Sequence, residues 1–202
     1  MKTIFLSAAI LLATVTGILT SAKAAVNNAG ETYTTLAETG PVTGIEVYGN
    51  VELYLSNGNT GKVKVYNDYY KDNAVVLNHN GTLRISSYKK DKLVVWVTVN
   101  DLRSIVAYNN AVIKSFGKIS AINLTVKLFD QASAKLNIDA YQADFTLNGN
   151  AAANLAGNIN NCALKYDLEA NINTRDLSWA SLVMKDARGD MMKQHIADFA
   201  AL

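Results

Sequence analysis

The chain has 202 residues, of which 50% are hydrophobic and 18% are charged, and its formal net charge is +2 at pH 7. An average globular protein has about 25% charged residues, so the low charge is typical of an extracytoplasmic β-protein, and the few, scattered lysines argue against nucleic-acid binding. Cys162 is the only cysteine, which excludes an intramolecular disulfide.

Residues 1–24 have the features of a secretory signal peptide. Lys2 precedes an apolar run over residues 4–19, and Ser21-Ala22-Lys23-Ala24 provides a small-x-small cleavage site. We predict cleavage after Ala24 and export to the periplasm or the cell surface. An uncleaved anchor is the alternative, although polar residues interrupt the run and leave it short of the roughly 18 to 20 apolar residues of a membrane span.

The next segments predict an N-terminal antiparallel β region. Residues 25–41 are small and polar and indicate a loose lead-in, whereas residues 45–55 alternate apolar and polar side chains with period two. Turn residues at 57–59 then predict one hairpin, and Asn80-Gly81 predicts a second. Leu93–Val99 is almost continuously apolar, which favours a strand covered on both faces.

The second half of the chain contains a degenerate repeat. Alanines recur at positions 111, 132, 151, 170 and 187, each within a short turn between β-like runs. A period of about 20 residues is typical of one turn of a β-solenoid. We therefore predict an all-β, β-helix-like solenoid.

One row of side chains is expected to stack along this repeat. The members precede the alanines and are Asn110, Gln131, Asn150, Glu169 and Asp186. At a spacing of about 4.8 Å, stacked amides would form a hydrogen-bonded ladder. A divalent-cation or sugar site at the Glu169 and Asp186 end is the functional alternative, but calcium needs six or more oxygen ligands and the row offers few.

Several carboxylates are candidate catalytic groups. Some β-helices cleave polysaccharides with clustered carboxylates and a basic residue; the candidates are Asp130, Asp139 and Asp144 with Lys127 or Arg175. Their offsets from the repeat alanines differ, so they should point in different directions, and we predict no catalytic residue.

No metal or cofactor site is predicted. His79 and His195 lie in separate regions without cysteine or glutamate at ligand spacing. Cys162 lacks an evident basic neighbour, so a buried or half-buried strand thiol is expected. Arg188-Gly189-Asp190 spells an integrin-type tripeptide, but a three-residue match is usually chance.

Tyr66, Tyr69 and Tyr70 are the predicted partner contacts. They lie beside amide and acid groups, which suits stacking on a glycan or contact with a protein. Packing of Tyr66 within a strand is the structural alternative. Residues 194–202 form a C-terminal tail, for which a short capping helix and a frayed end are both open.

Three segments carry a resemblance to a known family. They read Gly44-Ile-Glu-Val-Tyr-Gly-Asn-Val-Glu-Leu-Tyr-Leu, Asn80-Gly-Thr-Leu-Arg-Ile and Val97-Thr-Val-Asn-Asp-Leu-Arg-Ser-Ile-Val. Over residues 42–193 the chain resembles the bacterial secreted family called the putative auto-transporter adhesin head domain, or GIN domain. The resemblance implies a right-handed, β-helix-like solenoid on an exported protein, commonly from the Bacteroidetes, with no catalytic residue set.

The sequence departs from the family's Ser-Gly-small-Gly turn. The corresponding positions include Tyr108-Asn-Asn-Ala, Phe129-Asp-Gln-Ala and Leu168-Glu-Ala-Asn. Because Asn and Asp tolerate left-handed backbone, the fold should survive this change.

These observations together predict a non-catalytic exported binding or structural module, adhesin-like, at the bacterial cell envelope. Its expected partners are a glycan or a cell-surface protein. The alternative is a carbohydrate-active enzyme, a polysaccharide lyase or hydrolase, on a β-helix scaffold.

Overall fold

The structure is a computed structural model that describes residues 23–26, 32–36, 40–66 and 74–186. Within these residues it contains strands and no helix, so the all-β prediction is confirmed. The strands are β1 Lys23–Val26, β2 Thr32–Leu36, β3 Gly44–Gly49, β4 Val51–Asn57, β5 Lys62–Tyr66, β6 Ala74–His79, β7 Thr82–Ser87, β8 Leu93–Val99, β9 Ser104–Tyr108, β10 Val112–Leu128, β11 Ser133–Leu147, β12 Ala152–Tyr166 and β13 Asn171–Asp186.

The sequence repeat corresponds to four long parallel strands, β10 to β13. Val112 pairs with Ser133, Ser133 with Ala152, and Ala152 with Asn171, so equivalent positions of successive repeats lie side by side. Each repeat contains one strand of 15 to 17 residues that bends near its middle.

The sheet curls because β10 pairs with two different strands along one edge. Its residues 112–115 pair with β4, and its residues 125–128 pair with β9. Beyond these, β8 adds to β4, and β3 and then β7 add to β9, all in parallel. The single sheet therefore folds around one apolar core to which all the strands from β3 to β13 except β6 contribute buried side chains.

The N-terminal region is a mixed sheet, which corrects the antiparallel prediction. Antiparallel pairing joins β1 to β2, β2 to β5, β5 to β8 and β6 to β7. The hairpin predicted around residues 57–59 is wrong, because β8 lies between β4 and β5 and pairs with both. Period-two alternation shows which face of a strand is buried but does not determine its neighbour.

The hairpin at Asn80-Gly81 is confirmed. Both residues have positive φ, 51° and 81°, and His79 pairs directly with Thr82. These angles fit the two-residue turn that matches the twist of its flanking strands.

β1 runs across the predicted cleavage point after Ala24, from Lys23 to Val26.

Alternating burial sets the two faces of each strand. β8 is buried on its inner face and half-buried on its outer face, so it is not fully covered on both sides as expected. Ala111, Ala132 and Ala151 are completely buried at the start of the repeats. Small side chains suit this position, since the chain has just turned back tightly towards the core.

The tight turns before these alanines use left-handed backbone. Asn109 and Asp130 have φ values of 60° and 63°, which confirms that Asn and Asp replace glycine at these corners. The Asp130 carboxylate also accepts a hydrogen bond from the backbone N–H of Asn109 at 3.0 Å. In the last turn Ala170 donates to the carbonyl of Asp167 at 3.1 Å, so the equivalent segment begins at Asp167 rather than at Leu168.

Candidate functional site

A shallow depression of about 550 Å³ lies on the outside of the molecule, where the long strands bend. The connection from β8 to β9 forms one side, and the bends of β10, β11 and β12 form the other. We call it the corner depression; it is lined by Asn100, Asp101, Ser120, Ala121, Ile122, Asp139, Ala140, Tyr141 and Asn160.

The bend of the strands exposes two large apolar side chains in this depression. Tyr141 is 60% exposed and Ile122 is 73% exposed. They occupy equivalent positions in adjacent strands, because Ala121 pairs with Ala140 and Asn123 with Gln142. Two neighbouring exposed apolar side chains form a small apolar surface that a binding partner can cover.

Polar groups surround this apolar surface. Arg103 donates two hydrogen bonds to the same carboxylate oxygen of Asp101, Oδ2, at 2.9 and 2.6 Å, which leaves Oδ1 as an acceptor. Lys118 contacts Asp139 at 3.5 Å, a long and exposed ion pair. The side chains of Asn100, Ser120 and Asn160 line the depression and form no hydrogen bond with any other described residue. The depression thus presents an aromatic ring with amide donors and carboxylate acceptors around it.

A second polar and aromatic surface covers the outer side of β5, β8, β4 and the first part of β10. We call it the aromatic face. Tyr54 and Trp96 stack at 5.3 Å between ring centroids, and the Trp96 indole N–H donates to Ser56 at 3.2 Å. The Lys114 ammonium lies 5.5 Å from the centre of the Tyr54 ring, within cation–π range.

Glu52 is the charged centre of the aromatic face. Its carboxylate accepts hydrogen bonds from Lys114 at 2.5 Å and from the Tyr54 hydroxyl at 2.7 Å, and it pairs with Lys92 at 3.1 Å. The bond from Lys114, followed by that from Tyr54, lowers the pKa of Glu52 from 4.5 to about 2, although partial burial opposes this. The same contact raises the pKa of Lys114 above its usual value.

Of the three predicted tyrosine contacts, the structure describes one. Tyr66 ends β5, pairs with Val94 and is half-buried. It therefore lies on the outer side of β5, the side occupied by the aromatic face. Tyr69 and Tyr70 lie outside the described residues.

The predicted row is only partly assembled. Asn110, Gln131, Asn150 and Glu169 are all exposed at equivalent turn positions, and the Asn110 amide donates to the Gln131 side chain at 3.1 Å. No other side-chain hydrogen bond joins two members of the row among the described residues. Asp186 is not in the row: it pairs with Tyr166, three positions before the turn residue Glu169, and is buried. The final interval of the repeat is the shortest, so Asp186 falls at an inward-facing position.

The three carboxylates considered for catalysis are found in different places. Asp130 is bonded to the backbone of a tight turn, and Asp139 lines the corner depression. Asp144 lies on the second half of β11 and accepts from Gln142 at 3.0 Å. Lys127 and Arg175 are exposed and form no ion pair with a described residue.

The remaining candidates have structural environments. Cys162 is buried, and burial followed by the nearby Asp144 charge raises the pKa of its thiol to about 12. His79 contacts Asn80 at the hairpin, 3.2 Å between side-chain nitrogens. Among the described residues, no three histidine, cysteine or carboxylate side chains are grouped to hold a metal ion. His195, Arg188-Gly189-Asp190 and the tail 194–202 lie outside the described residues.

Sequence reasoning named Asp139 in the corner depression and Tyr66 beside the aromatic face, but it missed Ile122 and Tyr141. The only sequence signal for the bend that exposes Ile122 and Tyr141 is their equivalent position in the repeat. Trp96 was expected to be covered.

The family described as "Putative auto-transporter adhesin, head GIN domain" matches residues 41–190. The chain belongs to this family. This match confirms the resemblance seen in the sequence, and it agrees with an exported, adhesin-type protein. Comparison with curated proteins gives no match.

Solved structures of similar fold include three from Parabacteroides. A putative adhesin from Parabacteroides distasonis is 14% identical, with a TM-score of 0.58 over 76% of this chain and 77% of that chain. A putative adhesin from Parabacteroides merdae is 13% identical, with a TM-score of 0.58 over 79% and 78%. A putative lipid binding protein from Parabacteroides distasonis is 10% identical, with a TM-score of 0.59 over 79% of both chains. At these identities the similarity establishes the fold alone.

In the part of the chain that the structure describes, no helix has the length and apolar character to cross a membrane.

Proposed function

We propose that this GIN-domain protein is a non-catalytic, adhesin-like binding module of the bacterial cell envelope, and that its corner depression binds a glycan. The observation that carries the proposal is the pair of exposed apolar side chains, Tyr141 and Ile122. They are set among polar groups, and the side chains of Asn100, Ser120 and Asn160 form no hydrogen bond with another described residue. A sugar ring has an apolar C–H face that can stack on an aromatic ring, and hydroxyls that can pair with amides and carboxylates.

The openness of the depression predicts weak binding of a single glycan. One exposed aromatic ring and a few polar groups should give a dissociation constant on the order of 1 mM, or about −4 kcal/mol. An adhesin compensates for weak single sites when many copies meet many glycans, because each further contact is intramolecular. The protein should therefore respond to densely displayed glycans more strongly than to free oligosaccharides.

A β-helix-like solenoid with a right-handed path is our proposal for the architecture around this site. It is supported by the in-register parallel pairing of β10 to β13 and by the short turns that connect their ends. We also propose that the chain is cleaved after Ala24, exported to the periplasm or cell surface, and produced by an organism of the Bacteroidetes. N-terminal sequencing of the exported protein would test the cleavage, with Ala25 as the expected first residue.

A glycan array tests the function, with the mature chain displayed in many copies. We expect at least one glycan class to bind, and Tyr141→Ala to lower its affinity about tenfold through the loss of ring stacking. Tyr88→Ala is the matched control, because Tyr88 is 74% exposed and does not line the depression.

Two results would overturn the proposal. One is the absence of any bound glycan at millimolar concentration, and the other is an equal effect of Tyr141→Ala and Tyr88→Ala. Release of shortened sugars from a bound polysaccharide would instead support the carbohydrate-active enzyme, with Asp101 and Asp139 as the first carboxylates to substitute.

A further inference from the structure

The first long strand carries a bulge that places an aromatic side chain on the protein surface. Lys114 pairs with Lys135 and Lys118 with Asn137, so three residues of β10 lie opposite Leu136 alone. Phe116 is the middle residue of the three. It is 65% exposed and rests against Trp96, with 5.0 Å between ring centroids and a tilt of 60°.

The bulge is stabilised in this shape. The Ser115 hydroxyl accepts a hydrogen bond from the backbone N–H of Asn137 at 2.8 Å, which satisfies a donor that the bulge removes from the ladder. Gly117 has a φ of 79°, and apart from Gly117 itself and its two chain neighbours no atom lies within 4 Å of the point where its Cβ would be. The tip of the bulge therefore projects from the aromatic face into open space. A β-bulge can re-aim a side chain, and this one turns Phe116 outwards to rest against Trp96.

The surface around Phe116 is basic. Lys64, Trp96, Tyr54, Lys114 and Lys135 follow one another across β5, β8, β4, β10 and β11. Lys62 is the outward-facing residue of β5 that precedes Lys64. Like Lys135, it forms no ion pair with any described residue. Within residues 51–57, 62–66, 93–99, 112–115 and 133–137, Glu52 is the only carboxylate, and it is already paired with Lys114 and Lys92. Among the described residues, no carboxylate therefore offsets the charges of Lys62 and Lys135 on this face.

We propose that the aromatic face docks on an anionic lipid surface, with Phe116 inserting at the level of the headgroups. Exposed aromatic rings beside lysines match the chemistry of that boundary, where rings enter the apolar edge and ammonium groups stay with the phosphates. Each lysine near such a surface adds attraction that falls off within a Debye length. The proposal concerns a different surface from the corner depression and does not depend on glycan binding.

Vesicle sedimentation with the full mature chain tests this docking. The probes are vesicles of phosphatidylcholine alone and of phosphatidylcholine mixed with phosphatidylglycerol. We expect binding to the anionic vesicles to be at least about tenfold stronger than to the neutral ones, and to fall about tenfold between low and high salt. Phe116→Ala should lower binding about tenfold, because its side chain no longer enters the lipid.

Two matched variants separate this face from the rest of the surface. Leu168→Ala removes an apolar side chain that is 73% exposed at a tight turn, and it should leave binding unchanged. Lys135→Glu should weaken binding at least about threefold, whereas Lys165→Glu, an exposed lysine on the second half of β12, should have a smaller effect.

Tryptophan fluorescence locates the contact independently. The chain has two tryptophans, so Trp179→Phe leaves Trp96 as the only reporter. Bromine-labelled anionic lipid should then quench Trp96. Failure to bind anionic vesicles, no quenching of Trp96, or equal losses for Phe116→Ala and Leu168→Ala would each overturn the proposal, and binding to a protein but to neither vesicle type would do the same.

Discussion

Glu52→Gln tests the electrostatics of the aromatic face. The substitution keeps the shape of the side chain. It removes the negative charge that pairs with Lys114 and Lys92 and that strengthens the hydrogen bond from the Tyr54 hydroxyl. The fall in the Glu52 pKa from 4.5 to about 2 corresponds to a ceiling of about 3 kcal/mol of folding free energy. The two lysine side chains are 40% and 46% exposed, so solvent screening reduces this to about 1 kcal/mol.

The expected pH dependence follows from the direction of the shift. Because the folded-state pKa lies below the unfolded one, the stabilisation is fully present above pH 4.5 and is lost as the pH falls towards 2. Urea unfolding of the wild type and of Glu52→Gln at several pH values would measure the contribution of Glu52 to the free energy of unfolding. The contributions of the other carboxylates cancel in the difference between the two proteins.

We expect that difference to be about 1 kcal/mol at pH 7 and less than roughly half as large at pH 3. Glu46→Gln is the control, because it breaks an ion pair with Arg84, whose side chain is 60% exposed, and should cost less than about 0.5 kcal/mol. A Glu52→Gln difference that stayed constant from pH 7 to pH 3 would refute the reasoning.

Three further predictions concern the bends and the core. Gly157→Ala should cost about 3 kcal/mol of unfolding free energy, since its Cβ would lie 2.1 Å from the Ile138 carbonyl oxygen at a φ of 107°. Gly117→Ala, strained but in open space, should cost about 1 kcal/mol, and equal losses in urea unfolding would contradict the steric argument. Ser115→Ala should cost about 1 kcal/mol and speed hydrogen exchange at the Asn137 amide, and unchanged exchange there would show that the hydroxyl is not the acceptor. Cys162, with a thiol pKa of about 12, should resist a thiol reagent at pH 8 until urea unfolds the chain; rapid labelling of the native protein would disprove its burial.

Local patterns predicted the local structure well. Asn80-Gly81 formed the expected hairpin because a two-residue turn with both φ values positive depends mainly on those two residues. The equivalent positions of Ala111, Ala132 and Ala151 followed from their spacing, because parallel stacking places the same chemistry at the same position of each repeat. Asp186 broke the pattern, since the last interval is shorter and register cannot be read from the nearest alanine alone.

The binding surfaces were harder to predict than the repeat. Tyr66 was identified as a contact residue from the amide and acid groups beside it, and it lies on the outer side of the strands that carry the aromatic face. Phe116 and Trp96 were not identified as contact residues. They are 20 residues apart in sequence and meet only because β4 lies between β8 and β10 and the bulge reaches across it. The 21-residue interval between Ala111 and Ala132, two longer than the next one, was the one available signal of that bulge.

The sequence by itself determined the all-β class, the repeat, the left-handed turns and the family. Each depends on the preferences of a few adjacent residues or on a period that stacking preserves. Only the tertiary structure decided that β8 separates β4 from β5, that the long strands bend to expose Tyr141 and Ile122, and that Glu52 sits between two lysines. These depend on which strands become neighbours, a choice made by the packing of the whole core, and alternation along one strand carries no record of it.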